Sequence, residues 1–357
     1  MKSTIVLTGG GTAGHVTGNL ALYPTLKKHF LNICYIGSNN SIEEKLIKTK
    51  TSATFYGISA VKLVRGKILV NLALPFKLLR AVKQAKKILK KLRPNVVFSK
   101  GGFVSVPVIL AAKSLKIPIV CHESDLSMGL ANKIGSRYAT TVCTTFEKTA
   151  KPFKNKGVFT GSPLQKEFEN LPTQAAAKHK LHLPADKKVL LVTGGSLGAA
   201  AINSAVRESL DALTKSFYVV HVTGKGNAEI GIKNAYYRQI EFASNMPELI
   251  AAADVVISRA GSNTIFELAF ANKPMLLIPL PKGASRGDQI ENAEYFKQCG
   301  YAHVLSQQAL TRASLISAVN ETLKDASSLK NALKKSGLKN GTALIAKAIF
   351  SASDGKK

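Results

Sequence analysis

Short runs of β-branched and apolar residues alternate with helix-like segments along the chain. Segments with helical spacing, such as Leu78–Leu92 and Ala199–Leu213, lie between the runs. Strands that alternate with helices favour parallel α/β sheets with both faces covered. The predicted strands of the first half are Thr4–Thr8, Ile33–Ile36, Val96–Ser99, Ile117–Cys121 and Thr141–Thr144, and those of the second half are Val189–Thr193, Phe217–Thr223, Val255–Ser258 and Met275–Pro279.

The start of this pattern occurs twice. The segment STIVLTGGGTAGHVTGNLALYPTL has the same layout as KKVLLVTGGSLGAAAINSAVRESL: a strand, a glycine turn and a helix. A chain of 357 residues is also long for one hydrophobic core. The sequence therefore predicts two Rossmann-like domains in tandem, residues 1–162 and 163–340, joined near Gly161-Ser162-Pro163.

The first glycine turn has the pattern of a nucleotide site. Gly9, Gly11 and Gly14 follow a strand, precede a helix and fit G-x-G-x-x-G. Their backbone N–H groups can cradle a phosphate at the positive end of the helix dipole, and the alternative is a tight turn without a ligand. The NAD form of this motif also needs an acid at the end of the second strand. That strand ends in YIGSNN, with no acid before Glu43, which disfavours NAD.

Two further turns in the second half have ligand-binding patterns. The loop TGGSLGA at 193–199 carries Ser196, whose hydroxyl can add to the backbone donors around a phosphate. Two such loops indicate two phosphorylated substrates, or one substrate held across a cleft. Further along, the turn at 261–264 precedes Glu267, which can accept two hydrogen bonds from a ribose diol. The alternative for Glu267 is a charge near a helix N-terminus that the dipole stabilises.

The composition indicates a globular protein of a reducing cytoplasm. Hydrophobic residues make up 45% of the chain, and no apolar run reaches the roughly 18 residues that a transmembrane helix needs. The four cysteines are isolated and form no C-x-x-C pair. This spacing favours ordinary thiols over a metal site or a disulfide framework.

The net charge of +29 is concentrated in the first half of the chain. Residues 1–161 hold 26 basic and 5 acidic residues, and no acid lies between Glu44 and Glu123. Such a charge attracts nucleic acid, an anionic membrane surface or phosphorylated substrates. Nucleic acid is disfavoured, because the chain has no helix-turn-helix, zinc or RNP-like signature and no tryptophan.

Five motifs in order carry a family resemblance. They are G-G-G-T-x-G-H, FSKGGFVSVP, HESD with GLANK, GGSLGA, and SRAGSNTIFE followed by GDQIENA. Together they resemble the MurG family of peptidoglycan glycosyltransferases, in a form similar to its Gram-positive branch, over nearly the whole chain. The resemblance implies a GT-B fold: two Rossmann-like parallel-sheet domains that face each other across a cleft, with the last helix, about 341–357, packed back on the first domain.

The resemblance also implies a reaction. Members transfer GlcNAc from UDP-N-acetylglucosamine to the 4-hydroxyl of MurNAc in lipid I, undecaprenyl-pyrophosphoryl-MurNAc-pentapeptide. The product is lipid II, the anomeric configuration inverts, and the enzyme acts at the cytoplasmic face of the cell membrane as a peripheral protein. No metal and no cofactor are implied, since donors at a helix N-terminus can stabilise the departing UDP. The alternative is a UDP-GlcNAc 2-epimerase-like enzyme, which shares the architecture.

On the acceptor side, His15 matches the expected acid/base, because imidazole titrates near working pH. The alternative for His15 is a histidine that caps the helix or contacts a phosphate, and Glu123 is the rival base. Asp125 stands where many relatives have an asparagine that contacts the sugar. The positions matched to sugar and pyrophosphate contacts are Thr12, Ala13, Gly14, Asp125 and Asn132.

On the nucleotide side, Ser196 matches an α-phosphate contact and Glu267 matches the ribose acid. The uracil is expected near the backbone of Ala243. Arg259 either supports the uridine pocket or is a structural cation. Gln165 stands where relatives often have an arginine on the diphosphate, so the charge of that contact is missing here. The remaining matched positions are Ser262, Asn263 and Thr264 at the phosphates and Gln289 at the donor sugar.

In this interpretation, the basic half of the chain docks on a membrane surface. The segment ILVNLALPF at 68–76 is apolar and lies among cations, which suits docking on an anionic leaflet. The alternative is a buried segment with a solvated basic face. The residues expected at the membrane surface are Leu72, Leu74, Phe76, Lys77 and Arg80.

Overall fold

The computed structural model describes residues 3–60, 74–195, 198–283 and 285–355. The chain divides into two compact units. The first consists of Met1–Gln165 together with Lys339–Lys357, and the second consists of Lys166–Leu338.

The first unit is built on a seven-stranded parallel sheet of order β3-β2-β1-β4-β5-β6-β7. Its strands are β1 (Thr4–Thr8), β2 (Asn32–Ser38), β3 (Thr54–Ile58), β4 (Val96–Ser99), β5 (Ile119–Glu123), β6 (Thr141–Thr144) and β7 (Gly157–Phe159). Its helices up to residue 165 are α1 (Ala13–Lys27), α2 (Ile42–Lys50), α3 (Leu74–Leu92), α4 (Ser105–Ser114), α5 (Leu130–Tyr138) and α6 (Glu147–Ala150), which a 3₁₀ turn at Lys151–Lys156 follows.

The second unit has a six-stranded parallel sheet of order β10-β9-β8-β11-β12-β13. Its strands are β8 (Lys188–Thr193), β9 (Phe217–Val222), β10 (Tyr237–Ile240), β11 (Val255–Ser258), β12 (Met275–Leu277) and β13 (His303–Val304). Its helices are α7 (Gln174–Lys180), α8 (Ala200–Glu208), α9 (Leu210–Ser216), α10 (Met246–Ala252), α11 (Ser262–Phe270), α12 (Asp288–Gln298), α13 (Arg312–Lys324) and α14 (Ala326–Lys335), with 3₁₀ turns at Lys166–Phe168 and Gln307–Ala309.

The last helix, α15 (Thr342–Asp354), packs on the first unit. Ile345 and Ile349 are fully buried in the same hydrophobic cluster as Leu22 and Leu26 of α1. At its edge the Phe350 ring stacks on His29 with a centroid distance of 3.9 Å. The chain therefore returns to complete the core on one face of the first sheet.

Two glycine loops of the first unit meet backbone to backbone at the carboxyl edge of the sheet. The loop after β1 donates from the Gly10 N–H to the Gly101 carbonyl, at 3.3 Å, in the loop after β4. Gly102 has a φ of +83°, and a Cβ there would overlap the Gly10 carbonyl oxygen. Only glycine therefore fits at position 102, both by conformation and by space.

We expect Gly102→Ala to destabilise the first unit by about 3 kcal/mol, since a left-handed backbone and a steric overlap add together. The measurement is the unfolding transition, in denaturant, of the unit that carries the substitution: the first unit for Gly102→Ala and the second unit for the control. Gly231→Ala is the matched control, because Gly231 has a φ of +95° with open space around it. The control should cost only about 1 kcal/mol, from the backbone conformation alone. Equal costs at the two positions would refute the loop contact.

Candidate functional site

The carboxyl ends of β1, β4 and β5 bring three loops together in the first unit. These strands are consecutive in the sheet, and the strand order reverses at β1. Ligands of parallel α/β sheets bind at such a switch point, outside the carboxyl ends of the strands. The three loops contain the motifs GGGT, KGGF and SDLSMG.

Glu43 supports the first of these loops. It lies in the first turn of α2, is only 1% exposed, and reaches back under the glycines. Its carboxylate accepts from the Gly11 N–H at 3.4 Å and from the Ser38 N–H at 3.2 Å. The Glu43 carboxylate thus takes the Gly11 N–H group, which in a phosphate-binding loop would donate to the ligand. One donor of this loop is therefore used by the protein itself.

His15 lies in the first turn of α1, next to this loop. The imidazole Nδ1 is 3.0 Å from the Thr12 hydroxyl. Thr12 is at the N-cap position but makes no cap hydrogen bond to the helix backbone, so its side chain serves the ring instead. Ala13 is partly buried, whereas Thr12 and Gly14 are exposed. The loop therefore presents an oriented imidazole beside accessible backbone.

Glu123 organises the loop after β5. It is 4% exposed. One carboxylate oxygen accepts from the N–H groups of Ser124 and Asp125, at 2.8 and 3.0 Å. The other accepts from the Gly129 N–H at 2.9 Å and from the Asn132 amide at 3.0 Å. Burial, together with the nearby Asp125 charge, raises the pKa of Glu123. The Glu123 carboxylate thus accepts four hydrogen bonds from the protein itself.

Asn132 and Asp125 differ in their accessibility. Asn132 is buried and also donates to the His122 carbonyl at 3.1 Å, while its own Oδ1 has no hydrogen-bond partner among the described residues. Asp125 is partly exposed. Of these two predicted sugar contacts, Asp125 is the more exposed residue.

In the second unit, the glycine loop after β8 touches the end of β9. Gly195 and Gly198 have φ values of +86° and +75°, and a Cβ on Gly198 would overlap the Thr223 carbonyl oxygen. The loop therefore needs glycine to pack there. Ser196, the predicted phosphate contact, lies outside the described residues.

Helix α11 begins with the predicted phosphate contacts. Gly261 is its N-cap residue, Ser262 is buried, and Asn263 and Thr264 are partly buried in the first turn. The N–H groups of a first helical turn have no partners within the helix, so this end of α11 offers donors to an anion.

Glu267 follows one turn later on α11 and is partly buried. Among the described residues its carboxyl group has no hydrogen bond or ion pair. Burial raises the pKa of Glu267 to about 7. A desolvated carboxyl group without a protein partner is poised to gain hydrogen bonds from a ligand.

Arg259 braces the end of β12. Its guanidinium donates to the carbonyls of Ile278 and Pro279, at 3.0 and 3.3 Å, and to the Gln307 side chain at 2.7 Å. Burial lowers the pKa of Arg259. Of the two alternatives for Arg259, these contacts favour the structural cation.

The other predicted donor-side residues are all partly exposed. The Gln289 side-chain oxygen accepts from the Leu280 N–H at 3.0 Å, which holds the loop before α12. Ala243 lies in the turn after β10, and Gln165 is the last residue of the first unit before the chain crosses to the second. The structure brings Ser262, Asn263, Thr264 and Glu267 together on one helix.

The comparisons with known proteins agree across the chain. The model of the glycosyltransferase family 28 N-terminal domain matches residues 5–144, and that of its C-terminal domain matches residues 189–349. A UDP-N-acetylglucosamine--N-acetylmuramyl-(pentapeptide) pyrophosphoryl-undecaprenol N-acetylglucosamine transferase of Clostridium botulinum is 46% identical over 98% of both chains. A transferase of the same name from Lachnospira eligens is 48% identical over 90% of this chain and 91% of its own.

A solved MurG structure from Acinetobacter baumannii aligns with a TM-score of 0.77 and 25% identity, over 98% of this chain and 99% of its own. This chain belongs to the MurG family. The predicted MurG resemblance and the GT-B fold class are thereby confirmed. The UDP-GlcNAc 2-epimerase of Neisseria meningitidis also aligns over both full chains, with a TM-score of 0.65 and 15% identity. At that identity the likeness extends to the fold alone.

Two further observations concern membranes and metals. Within the described ranges of this MurG-family chain, no helix is long and apolar enough to cross a membrane. Among the same residues, no three His, Cys, Asp or Glu side chains form a group that could hold a metal ion.

We expect Glu267→Gln to stabilise the second unit at pH 8 but not at pH 4. The folded pKa of about 7 lies above the ordinary value of 4.5. Between pH 4.5 and pH 7 the folded state therefore keeps its proton where the unfolded state loses it. At higher pH the ionised form costs on the order of 3 kcal/mol of stability. Denaturant unfolding at both pH values measures the difference.

Glu241→Gln is the control for this experiment, since Glu241 is an exposed carboxylate of the same unit. It should change the stability little at either pH. If Glu267→Gln does not raise the free energy of unfolding at pH 8, the Glu267 carboxylate is not desolvated and unpartnered.

Proposed function

We propose that this protein transfers GlcNAc from UDP-N-acetylglucosamine to the 4-hydroxyl of MurNAc in lipid I and so forms lipid II. The observation that carries the proposal is the 46% identity, over 98% of both chains, to a transferase whose name states this donor sugar and acceptor. The open carboxyl group of Glu267 and the oriented imidazole of His15 supply groups of the chemistry that the reaction needs.

The donor occupies the second unit in this proposal. Glu267 accepts hydrogen bonds from the ribose hydroxyls, and the N–H groups at the start of α11 face the diphosphate. Ser196 contacts the α-phosphate, an assignment that rests on its motif. The Gln289 amide nitrogen has no partner among the described residues and is available to the donor sugar. The backbone at Ala243 meets the uracil.

The acceptor reacts at the first unit. The 4-hydroxyl oxygen attacks the anomeric carbon of GlcNAc, the bond from that carbon to the β-phosphate oxygen breaks, and UDP leaves with the electron pair. A single displacement inverts the anomeric centre. His15 takes the hydroxyl proton on Nε2, which requires that Nδ1–H donate to the Thr12 hydroxyl 3.0 Å away. The Thr12 hydroxyl can accept that hydrogen bond, so the contact is compatible with the tautomer that has its lone pair on Nε2.

His15 is preferred to Glu123 as the base. Glu123 accepts four hydrogen bonds from its own loop and from Asn132, which fixes its carboxylate in a positioning role. The exposed loop of Thr12 to Gly14 and the side chain of Asp125 would then contact the acceptor sugar and pyrophosphate. Gln165 offers an uncharged amide to the diphosphate.

The departing UDP needs no metal in this proposal. The N–H groups at the start of α11 lie at the positive end of the helix dipole, where developing phosphate charge is stabilised.

The deciding experiment incubates radiolabelled UDP-N-acetylglucosamine with a short-chain lipid I analogue, with and without EDTA. A disaccharide product that forms equally well in EDTA supports the proposed donor, the proposed acceptor and a reaction that needs no metal. Conversion of UDP-N-acetylglucosamine to UDP-N-acetylmannosamine without the acceptor would instead show the epimerase. Absence of both products, or activity lost in EDTA, would overturn the proposal in whole or in its metal-free part.

We expect His15→Ala to lower turnover by about 10²–10⁴-fold, the usual contribution of general-base catalysis, with UDP-N-acetylglucosamine binding nearly unchanged. Turnover and donor affinity are measured separately, by product formation and by calorimetry. His179→Ala, at an exposed histidine of the second unit, is the control and should keep full activity. Wild-type turnover in His15→Ala would remove His15 from the mechanism.

We also propose that the protein binds the cytoplasmic face of the membrane through α3. Phe76 and Leu79 are 77% and 58% exposed at the start of this helix. Lys77 and Arg80 lie beside them, and α3 carries no acidic residue. Exposed apolar side chains among cations suit an anionic leaflet. Leu74 is partly buried, and Leu72 lies outside the described residues.

We expect Phe76→Asp with Leu79→Asp to weaken binding to vesicles that contain phosphatidylglycerol by at least tenfold, since inserting one such side chain is worth about 2 kcal/mol. Co-sedimentation with the vesicles measures this. Leu31→Asp is the control, because Leu31 is an exposed leucine of the same unit outside α3. Unchanged binding of the double variant, or equal loss in the control, would exclude the anchor.

A further inference from the structure

A lysine lies buried beneath the three loops of the first unit. Lys100 directly follows β4 and is 1% exposed. Its ammonium is 2.8 Å from His122 Nδ1 and also hydrogen-bonds the Ser124 hydroxyl. Among the described residues it forms no ion pair. Burial of an ammonium without a carboxylate at contact distance is costly, and burial lowers the pKa of Lys100 to about 8.

The surrounding chain leaves a passage for this side chain. A Cβ on Gly18 of α1 would overlap Lys100 Cε, and one on Gly9 would come within 3.1 Å of Lys100 Cβ. Two glycines of the N-terminal segment thus permit the lysine stem to pass below the first loop. The space that a side chain at position 9 or 18 would take is therefore occupied by the Lys100 stem.

The partner histidine is held as a neutral acceptor. His122 Nε2 is 3.2 Å from the Gly161 carbonyl, to which it donates, so Nδ1 is the lone-pair nitrogen that faces Lys100. Burial and the neighbouring ammonium keep the pKa of His122 well below its ordinary value. The ammonium is therefore the donor both to His122 and to Ser124.

Ser124 begins the loop that Glu123 also holds. Glu123 binds the amides of Ser124, Asp125 and Gly129, whereas Lys100 binds the Ser124 side chain. The charges of Glu123 and Asp125 in turn favour the protonated lysine. The cation therefore offsets the negative charges of both Glu123 and Asp125.

We propose that Lys100 is a positioning residue for the acceptor sugar: through Ser124 it fixes the loop that presents Asp125. The inference rests on the proposed function, in which Asp125 contacts that sugar. Lys100 itself touches no substrate, so its removal should affect binding of the acceptor rather than the chemical step.

The test compares Lys100→Met with Lys273→Met. Lys273 of the second unit is a matched control, since it is 9% exposed, donates to the Ala251 and Ala253 carbonyls, and has its pKa lowered to about 8 by burial. Four quantities are measured: the hydrogen exchange of the Asp125 and Gly129 amides, kcat, the KM for the lipid I analogue and the KM for UDP-N-acetylglucosamine. Methionine keeps the length of the stem without the charge.

We expect Lys100→Met to raise the exchange rates and the acceptor KM by about tenfold each, the effect of losing one charge-assisted hydrogen bond. The kcat value and the KM for UDP-N-acetylglucosamine should stay within about threefold, since neither depends on one loop hydrogen bond. Lys273→Met should leave all four quantities at their wild-type values. If Lys100→Met does not fold, Ser124→Ala removes the same contact from the loop side and should show the same changes.

Unchanged exchange rates in a folded Lys100→Met or Ser124→Ala variant would overturn the inference, and so would faster exchange with an unchanged acceptor KM. Wild-type protein that forms no product would overturn the proposed function. In that case the exchange rates still decide whether Lys100 fixes the loop.

Discussion

The close approach of the Gly10 backbone to Gly101 and Gly102 shapes the carboxyl edge of the first sheet. The strand order reverses at β1, where parallel sheets usually leave a crevice for a nucleotide. Here the loops after β1 and β4 close on each other across that position, and Glu43 occupies the Gly11 amide from below. Gly9 and Gly11 of the motif that fits a dinucleotide site also serve close packing, since a Cβ on them would approach Lys100 and Phe103.

Most of the buried charged groups are held by hydrogen bonds of the protein itself, as Lys273 of the second unit is by two carbonyls. In the first unit, Glu43 and Glu123 accept hydrogen bonds from backbone amides, and Lys100 donates to neutral side chains. Each supports a loop. In the second unit Glu267 is desolvated without such support, which is why the pKa of its carboxyl group is raised to about 7. The protein thus satisfies Glu43, Glu123 and Lys100 with its own hydrogen bonds, whereas the Glu267 carboxyl group has none among the described residues.

The hydrophobic pattern predicts the central strands and misses the edges. The strands that the sequence did not reveal are β3, β7, β10 and β13, which are the outer strands of the two sheets. Edge strands are partly exposed and lack the continuous apolar run of a central parallel strand. The predicted strand Ile117–Cys121 also ends two residues early, because β5 continues through His122 and Glu123, whose polar side chains are buried with partners. The predicted helix Ala199–Leu213 is broken at Ser209, which bonds back to the Ala205 carbonyl.

Sequence patterns report only on residues that are close together in the chain, and this explains which site residues the sequence reveals. His15 and Glu267 stand inside local motifs, so spacing alone singles them out. Glu43 and Lys100 do not, since their partners lie in other loops: Glu43 binds the loop after β1, and Lys100 binds residues more than twenty positions away. Asp125 shows the consequence. The motif alone marks it only as a predicted sugar contact. The structure adds that the charge of Asp125, together with that of Glu123, favours the protonated form of the buried Lys100.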